Sequence, residues 1–385
     1  MSYTIRKIQE RNISLDLIRF VAIACVLINH SVEFVYRTYD HDTAVSLSSF
    51  DKRSVIVLLF TIGRLGVPLF LMLTGYLMLH RDYDSKGSLR HFWIHNLLSL
   101  IITWQIWLFF YNLLLSFLSK TPFNFDSWIR QMLFVKDNDL PHSWYIPMII
   151  GIYVFLPFIA RGIKNLEAPV IVFIILISYA AFLVVPSVNV FFSASGIEYL
   201  SLKANPVFTG SAYCMYIIMG HLVYLTDKRR MEINKKNTGA AAAIIIAESV
   251  IAAGGLALSF YLQIYLHSLN SPYMIWYSFF TLPPTVFCIF ALMRRIRRFI
   301  LSGFIKRISI CSFGMYLIHF PVLKIMLEKN TIFKTITTGW SDKYICLSLF
   351  IITFFISYGI TEGLAHIPYA GELLVKVRSR RFRIF

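Results

Sequence analysis

What most constrains this chain is the recurrence of long apolar runs. Ten stretches rich in Leu, Ile, Val and Phe follow one another, near residues 13–35, 55–79, 97–118, 144–160, 169–186, 206–226, 240–266, 274–293, 310–327 and 344–366. A helix needs about 20 mostly apolar residues to cross a bilayer, and within lipid only helices and closed barrels satisfy their own backbone. Ten such runs in 385 residues leave no room for a separate soluble domain. The predicted fold class is therefore all-α: a polytopic membrane bundle of about ten transmembrane helices. It spans 13–366, between basic tails at 1–12 and 367–385 that are expected on the cytoplasmic side. Charged residues make up only 15% of the chain, against about 25% in soluble domains.

The first run follows Arg6, Lys7 and Arg11 and lacks a small-residue cleavage site, so it reads as a retained anchor. The formal charge of +17 would suggest a nucleic-acid partner in a soluble protein. Here the positive residues sit in loops. With the N-terminus placed in the cytoplasm, 24 of the 37 Lys and Arg fall in cytoplasmic pieces, 10 in outer loops and 3 within spans. The positive-inside rule accounts for that asymmetry, with both termini cytoplasmic. The expected surroundings are membrane lipids, with no nucleic acid. The five cysteines are scattered through apolar sequence and imply neither disulfides nor a zinc site.

Ionisable groups inside a bilayer are costly and point to function. Those singled out are Arg19 and His30 in the first span, Arg64 in the second, His221, Glu248, His319 and, near an inner end, Glu362. Lys324 lies near an outer end, where it can snorkel. At the helical rise, Arg19 lies roughly 9 Å and His30 roughly 25 Å above the inner face, and Arg64 roughly 13 Å below the outer face. Eleven residues are about three turns, so Arg19 and His30 share one helix face. The expectation is a cationic column suited to an anionic group. His319 precedes Phe320-Pro321 and has a second reading, bonding a carbonyl that the proline frees. No P-loop, G-x-S-x-G, HExxH or CxxC occurs. Asp137-Asn138-Asp139 reads as a turn before Pro141 rather than a metal motif.

Four blocks occur in order: Leu15-Asp16-Leu17-Ile18-Arg19-Phe20 with His30, an R-x10-H spacing; Arg64-Leu65-Gly66-Val67-Pro68-Leu69-Phe70 through Thr74-Gly75-Tyr76; His142-Ser143-Trp144-Tyr145-Ile146; and Ser312 through His319. Together they resemble the integral membrane acyltransferase 3 family over nearly the whole chain. The resemblance implies a multi-pass protein of the bacterial inner membrane, of the short kind without an appended esterase-like domain. It implies acetyl-CoA as donor substrate, no permanently bound cofactor, and a surface glycan or lipid-linked oligosaccharide as acceptor. It carries catalytic roles to His30, Arg19 and His319. The R-x-x-R motif expected between the second and third spans is incomplete, since only Arg90 fits; Arg64, Arg90, Lys86 and Arg81 are the donor-binding candidates. Thr74 replaces the usual serine.

Chemistry agrees with this reading. A sugar hydroxyl needs a base near neutral pH, and histidine suits that role or that of a covalent carrier. Two other readings use the same residues. A lipid-linked-sugar glycosyltransferase would draw an acid from Asp40, Asp42 or Asp51 in the first outer loop, and a glycolipid transporter or flippase would use the cationic column without chemistry. The absence of an internal repeat disfavours transport.

Overall fold

The computed structural model describes residues 12–38, 49–137, 140–198, 211–232, 238–271 and 273–377. Among them there is no strand. Helices occupy all ten expected places: α1 Ile13–Tyr36, α2 Phe50–Met78, α3 Lys86–Ser119, α4 His142–Ile163, α5 Ala168–Ala194, α6 Ser211–Glu232, α7 Gly239–Ser268, α8 Leu282–Arg294, α9 Ser302–Glu328 and α10 Asp342–His366. Eight of these are long and apolar enough to cross a membrane; α6 is more polar and α8 is short. The chain is an all-α, multi-pass helical bundle.

Two of the expected spans differ in form. The second is broken at Arg64-Leu65, between the helical pieces Phe50–Gly63 and Gly66–Met78. Pro68 explains the break, because its ring excludes the carbonyl four residues earlier and it has no N–H to offer. The expected eighth span, 274–293, is helical only from Leu282 to Arg294. The preceding stretch is irregular, yet its polar backbone is satisfied: Gln263 accepts from the Ile275 N–H at 2.9 Å, Arg64 Nε donates to the Ile275 carbonyl at 3.2 Å, and the Tyr216 hydroxyl donates to the Tyr277 carbonyl at 2.8 Å. Irregular backbone at membrane depth persists only with such partners.

The core is built from α1, α2, α6 and α9, while α5 and α7 lie at the periphery with most of their surface facing outward. Close approach of helices 2 and 6 depends on two glycines. A Cβ on Gly75 would sit 1.7 Å from the Ile217 carbonyl oxygen, and one on Gly220 would sit 2.0 Å from that of Met72. Helix 2 presses on helix 1 in the same way: Gly63 and Gly66 flank the break, and their Cβ positions fall within 3 Å of Asn29 and of the Ala22 carbonyl oxygen. This contact brings Arg64 to the C-terminal half of α1.

Ion pairs distinguish the two ends of the bundle. At one end Arg294 joins Ser14, Asp227 and Tyr76, Arg307 pairs with Glu362, and Arg161 and Lys164 hold Asp84. At the other, Lys52 pairs with Asp342 at 2.6 Å. Beyond α10, the segment Ala370–Leu374 folds back on α3, where Thr103 and Trp107 donate to its carbonyls at 2.6 and 2.8 Å.

Candidate active site

His30 sits in the last third of α1, on the face turned into the bundle. One turn further on, Glu33 Oε2 lies 2.5 Å from His30 Nδ1. The other oxygen of Glu33 accepts from Asn29 Nδ2 at 2.8 Å and from an Arg64 NH2 nitrogen at 3.2 Å. Arg64 is fixed in turn by the Ile275 carbonyl and the Tyr277 hydroxyl (3.1 Å), and its guanidinium lies over Phe60 and Trp276 at 4.2 and 4.5 Å from the ring centroids. Glu33 and Arg64 side chains are 7% and 6% exposed, so the pair is buried and each charge depends on the other. In the tautomer whose Nδ1 carries the proton, the Glu33 carboxylate accepts it, and Nε2 of His30 is then the basic nitrogen.

Two more histidines complete a cluster. The His319 ring lies 5.2 Å from those of both His30 and His142, and His30 and His142 are 6.3 Å apart. His142 stacks on Phe320 at 4.4 Å. His319 Nδ1 bonds the Tyr316 carbonyl at 2.6 Å, leaving Nε2 without a partner, and neither ring nitrogen of His142 has one. Pro321 frees the carbonyl of Leu317, and the Tyr111 hydroxyl takes it at 2.6 Å. The expected role of His319 in satisfying a proline-freed carbonyl thus belongs to Tyr111. Among the described residues no group of His, Cys, Asp and Glu has the geometry to hold a metal.

The cluster borders a small space of about 10 Å³ lined by His30, His142, Trp144, Tyr145, Tyr277 and Tyr316 with Val26 and Val67. A larger cavity of about 320 Å³ lies on the Arg294 side. Arg19, Arg81, Thr74 and Tyr153 line it with Phe70 and Phe313, and it shares Val26, Val67, Tyr145 and Tyr316 with the histidine space. Arg19 keeps a 3.5 Å contact with Asp16, whose carboxylate also accepts from Ser309. At the mouth, the loop after α2 is held firmly. The Tyr83 hydroxyl donates to the Met78 carbonyl at 3.0 Å, and burial pushes its pKa up to about 12, so it remains a donor. The hydrogen bond to Asp84 raises the Lys164 pKa and keeps that tie charged.

The expected residues therefore separate into groups. His30, His319 and Arg64 come together, and Arg64 serves Glu33 rather than the larger cavity. Arg19 and Arg81 line that cavity together. Lys86 and Arg90 are exposed on the first turns of α3 and do not line it. The column is not bare cation: Asp16 and Glu33 accompany Arg19 and Arg64, because an isolated charge at this depth is too costly. Glu248 and Glu362 are held by Arg295 and Arg307, and Lys324 by Glu328 at 2.8 Å. Asp51 is exposed in the first turn of α2, and Asp40, Asp42, Asn138 and Asp139 lie outside the described residues. Glu33 and His142 were absent from the expected site. The signal for Glu33 was an acid one turn from His30 in the same apolar run.

The bundle thus sets a buried carboxylate–histidine pair beside a cavity lined by two arginines. Residues 12–362 match the acyltransferase domain that defines the acyltransferase 3 family, and the chain belongs to that family. No curated protein and no solved structure gives a significant match. The protein is a membrane acyltransferase.

Proposed function

We propose that the protein carries an acetyl group from cytoplasmic acetyl-CoA to a hydroxyl of a cell-surface polysaccharide or its lipid-linked precursor, in the bacterial inner membrane, with both termini cytoplasmic. One observation carries this reading: the Arg19–Arg81 cavity abuts the His30 space through four shared wall residues. A thioester entering from the arginine side ends beside the histidine. Arg81 at the mouth meets the phosphates of CoA by charge-assisted bonds, and Arg19 guides the acyl end.

In the transfer, Nε2 of His30 takes the proton of the acceptor hydroxyl as its oxygen attacks the thioester carbonyl. Glu33 holds the ring in the required tautomer and stabilises the imidazolium that forms. The C–S bond then breaks, and the thiolate leaves with the proton from Nε2. The protonated ring forms in a buried site, where the Glu33 carboxylate is worth more than it would be in water. The space of about 10 Å³ has room for little water beside the thioester, so both substrates displace wall side chains to meet there. His319 packs against the His30 ring at 5.2 Å and positions it.

The test is to incubate membranes containing the protein with radiolabelled acetyl-CoA and candidate glycans. Label in alkali-labile ester on the glycan is expected, and its absence with correctly inserted protein would remove the reading.

A further inference from the structure

A third cavity, of about 380 Å³, shares Trp144 with the histidine space and none of its described lining with the Arg19 cavity. Its size falls within the ~300–1,000 Å³ of small-molecule sites. Its wall carries Trp104, Trp144, Gln131, Ser143, Lys136 and Asp137. One tight turn, Pro141–Trp144, separates it from the histidine space. Along that turn, His142 lines the histidine space, Ser143 lines the third cavity, and Trp144 lines both. His142 is 1% exposed and both of its ring nitrogens lack a partner. Buried polar groups in proteins are nearly always bonded, so two orphan nitrogens at the junction of two cavities point to a group that arrives from outside.

We infer that this third cavity is the acceptor subsite, that it holds an uncharged sugar ring, and that His142 donates a ring N–H to the oxygen of the hydroxyl whose proton His30 takes. The inference rests on the transferase reading above. The composition of the wall selects the class. Two indole faces suit the C–H face of a pyranose, and an amide, a hydroxyl, an ammonium and a carboxylate supply donors and acceptors for its hydroxyls. Among the described lining residues Lys136 and Asp137 cancel in charge, which gives a uronate or a sugar phosphate no net attraction from them. A plain alkyl alcohol would leave those polar groups unpaired. Lys136 is held in place by its bond to Ser127 at 2.8 Å, and Gln131 by Asn112 at 2.7 Å, so the polar wall is pre-set rather than recruited.

The experiment uses the purified full chain in lipid nanodiscs, radiolabelled acetyl-CoA, and envelope glycan extracted from the producing cells as acceptor probe. Asp137→Asn and Lys136→Met both alter exposed side chains, which spares the fold. Loss of one hydrogen bond to a charged group predicts an apparent KM for the glycan raised about tenfold, with the KM for acetyl-CoA changed less than twofold. Mass spectrometry of the product is expected to place the acetyl group on a neutral sugar. Wild-type transfer with glycan KM unchanged in both variants overturns the subsite and leaves the transferase reading standing, as does a fall in maximal rate alone. Acetylation of a uronic acid or phosphosugar overturns the neutral-ring assignment. No transfer by wild type defeats the transferase reading itself, and the subsite with it.

Discussion

Glu33→Gln changes one atom at the centre of the site and has a worked consequence. The side chain faces three donors: Asn29 Nδ2 and Arg64 on one oxygen, His30 Nδ1 on the other. A glutamine has only one oxygen. Turned toward Asn29 and Arg64, it satisfies two donors and sets its NH2 against Nδ1 of His30. Turned the other way, it sets the NH2 against two donors at once. The first arrangement wins, since it leaves one mismatch instead of two, and His30 relieves that mismatch by moving its proton from Nδ1 to Nε2. The base is then capped by its own proton. Loss of a general base typically costs 10²–10⁴-fold, about 2.7–5.5 kcal/mol of barrier. Acetyl transfer per inserted molecule should fall by that range, while Glu33→Gln still inserts. Activity within tenfold of wild type would refute the tautomer argument and reduce Glu33 to a partner for Arg64.

Three other outcomes follow from the same structure. Arg19→Ala should raise the KM for acetyl-CoA about tenfold or more in steady-state kinetics, through loss of a charge-assisted contact of roughly 1.5–3 kcal/mol, with unchanged donor use marking Arg19 as a partner of Asp16 only. Gly220→Val should abolish accumulation of folded protein in size-exclusion profiles, because its Cβ falls 2.0 Å from the Met72 carbonyl oxygen and overpacking on backbone has no relief; normal yield would contradict the helix 2–helix 6 contact. Reporter fusions after residues 236 and 302 should report cytoplasm and fusions within 330–342 periplasm, and a periplasmic signal at 302 would invert the orientation.

Hydropathy locates the eight helices that meet the length and polarity a bilayer sets; of the other two expected spans, α8 is short and α6 more polar, with 206–210 outside the described residues. Their interruptions were less legible. Pro68 was in plain view, but a proline four residues past an arginine kinks some helices and breaks others, and here the close packing of Gly63 and Gly66 against α1 accompanies the break. The irregular stretch before α8 is as apolar as a helix, and what allows it is a set of partners from distant segments: Gln263, Arg64 and Tyr216. Depth and face arithmetic put Arg19 and His30 on one side of α1, and the structure lines adjoining cavities with them. The same arithmetic cannot say which neighbours face them. Arg64 therefore read as a donor-site cation although it answers Glu33, and His142 read only as part of a motif although it completes the cluster.

The central claim is that His30 takes part directly in acyl transfer. Acetyl transfer per inserted molecule, measured for His30→Ala beside wild type with radiolabelled acetyl-CoA, tests it most directly. A loss of at least a hundredfold in a protein that still inserts is the result expected for a missing base. Activity within tenfold of wild type would contradict the account, since nothing else about this site requires a histidine at that position.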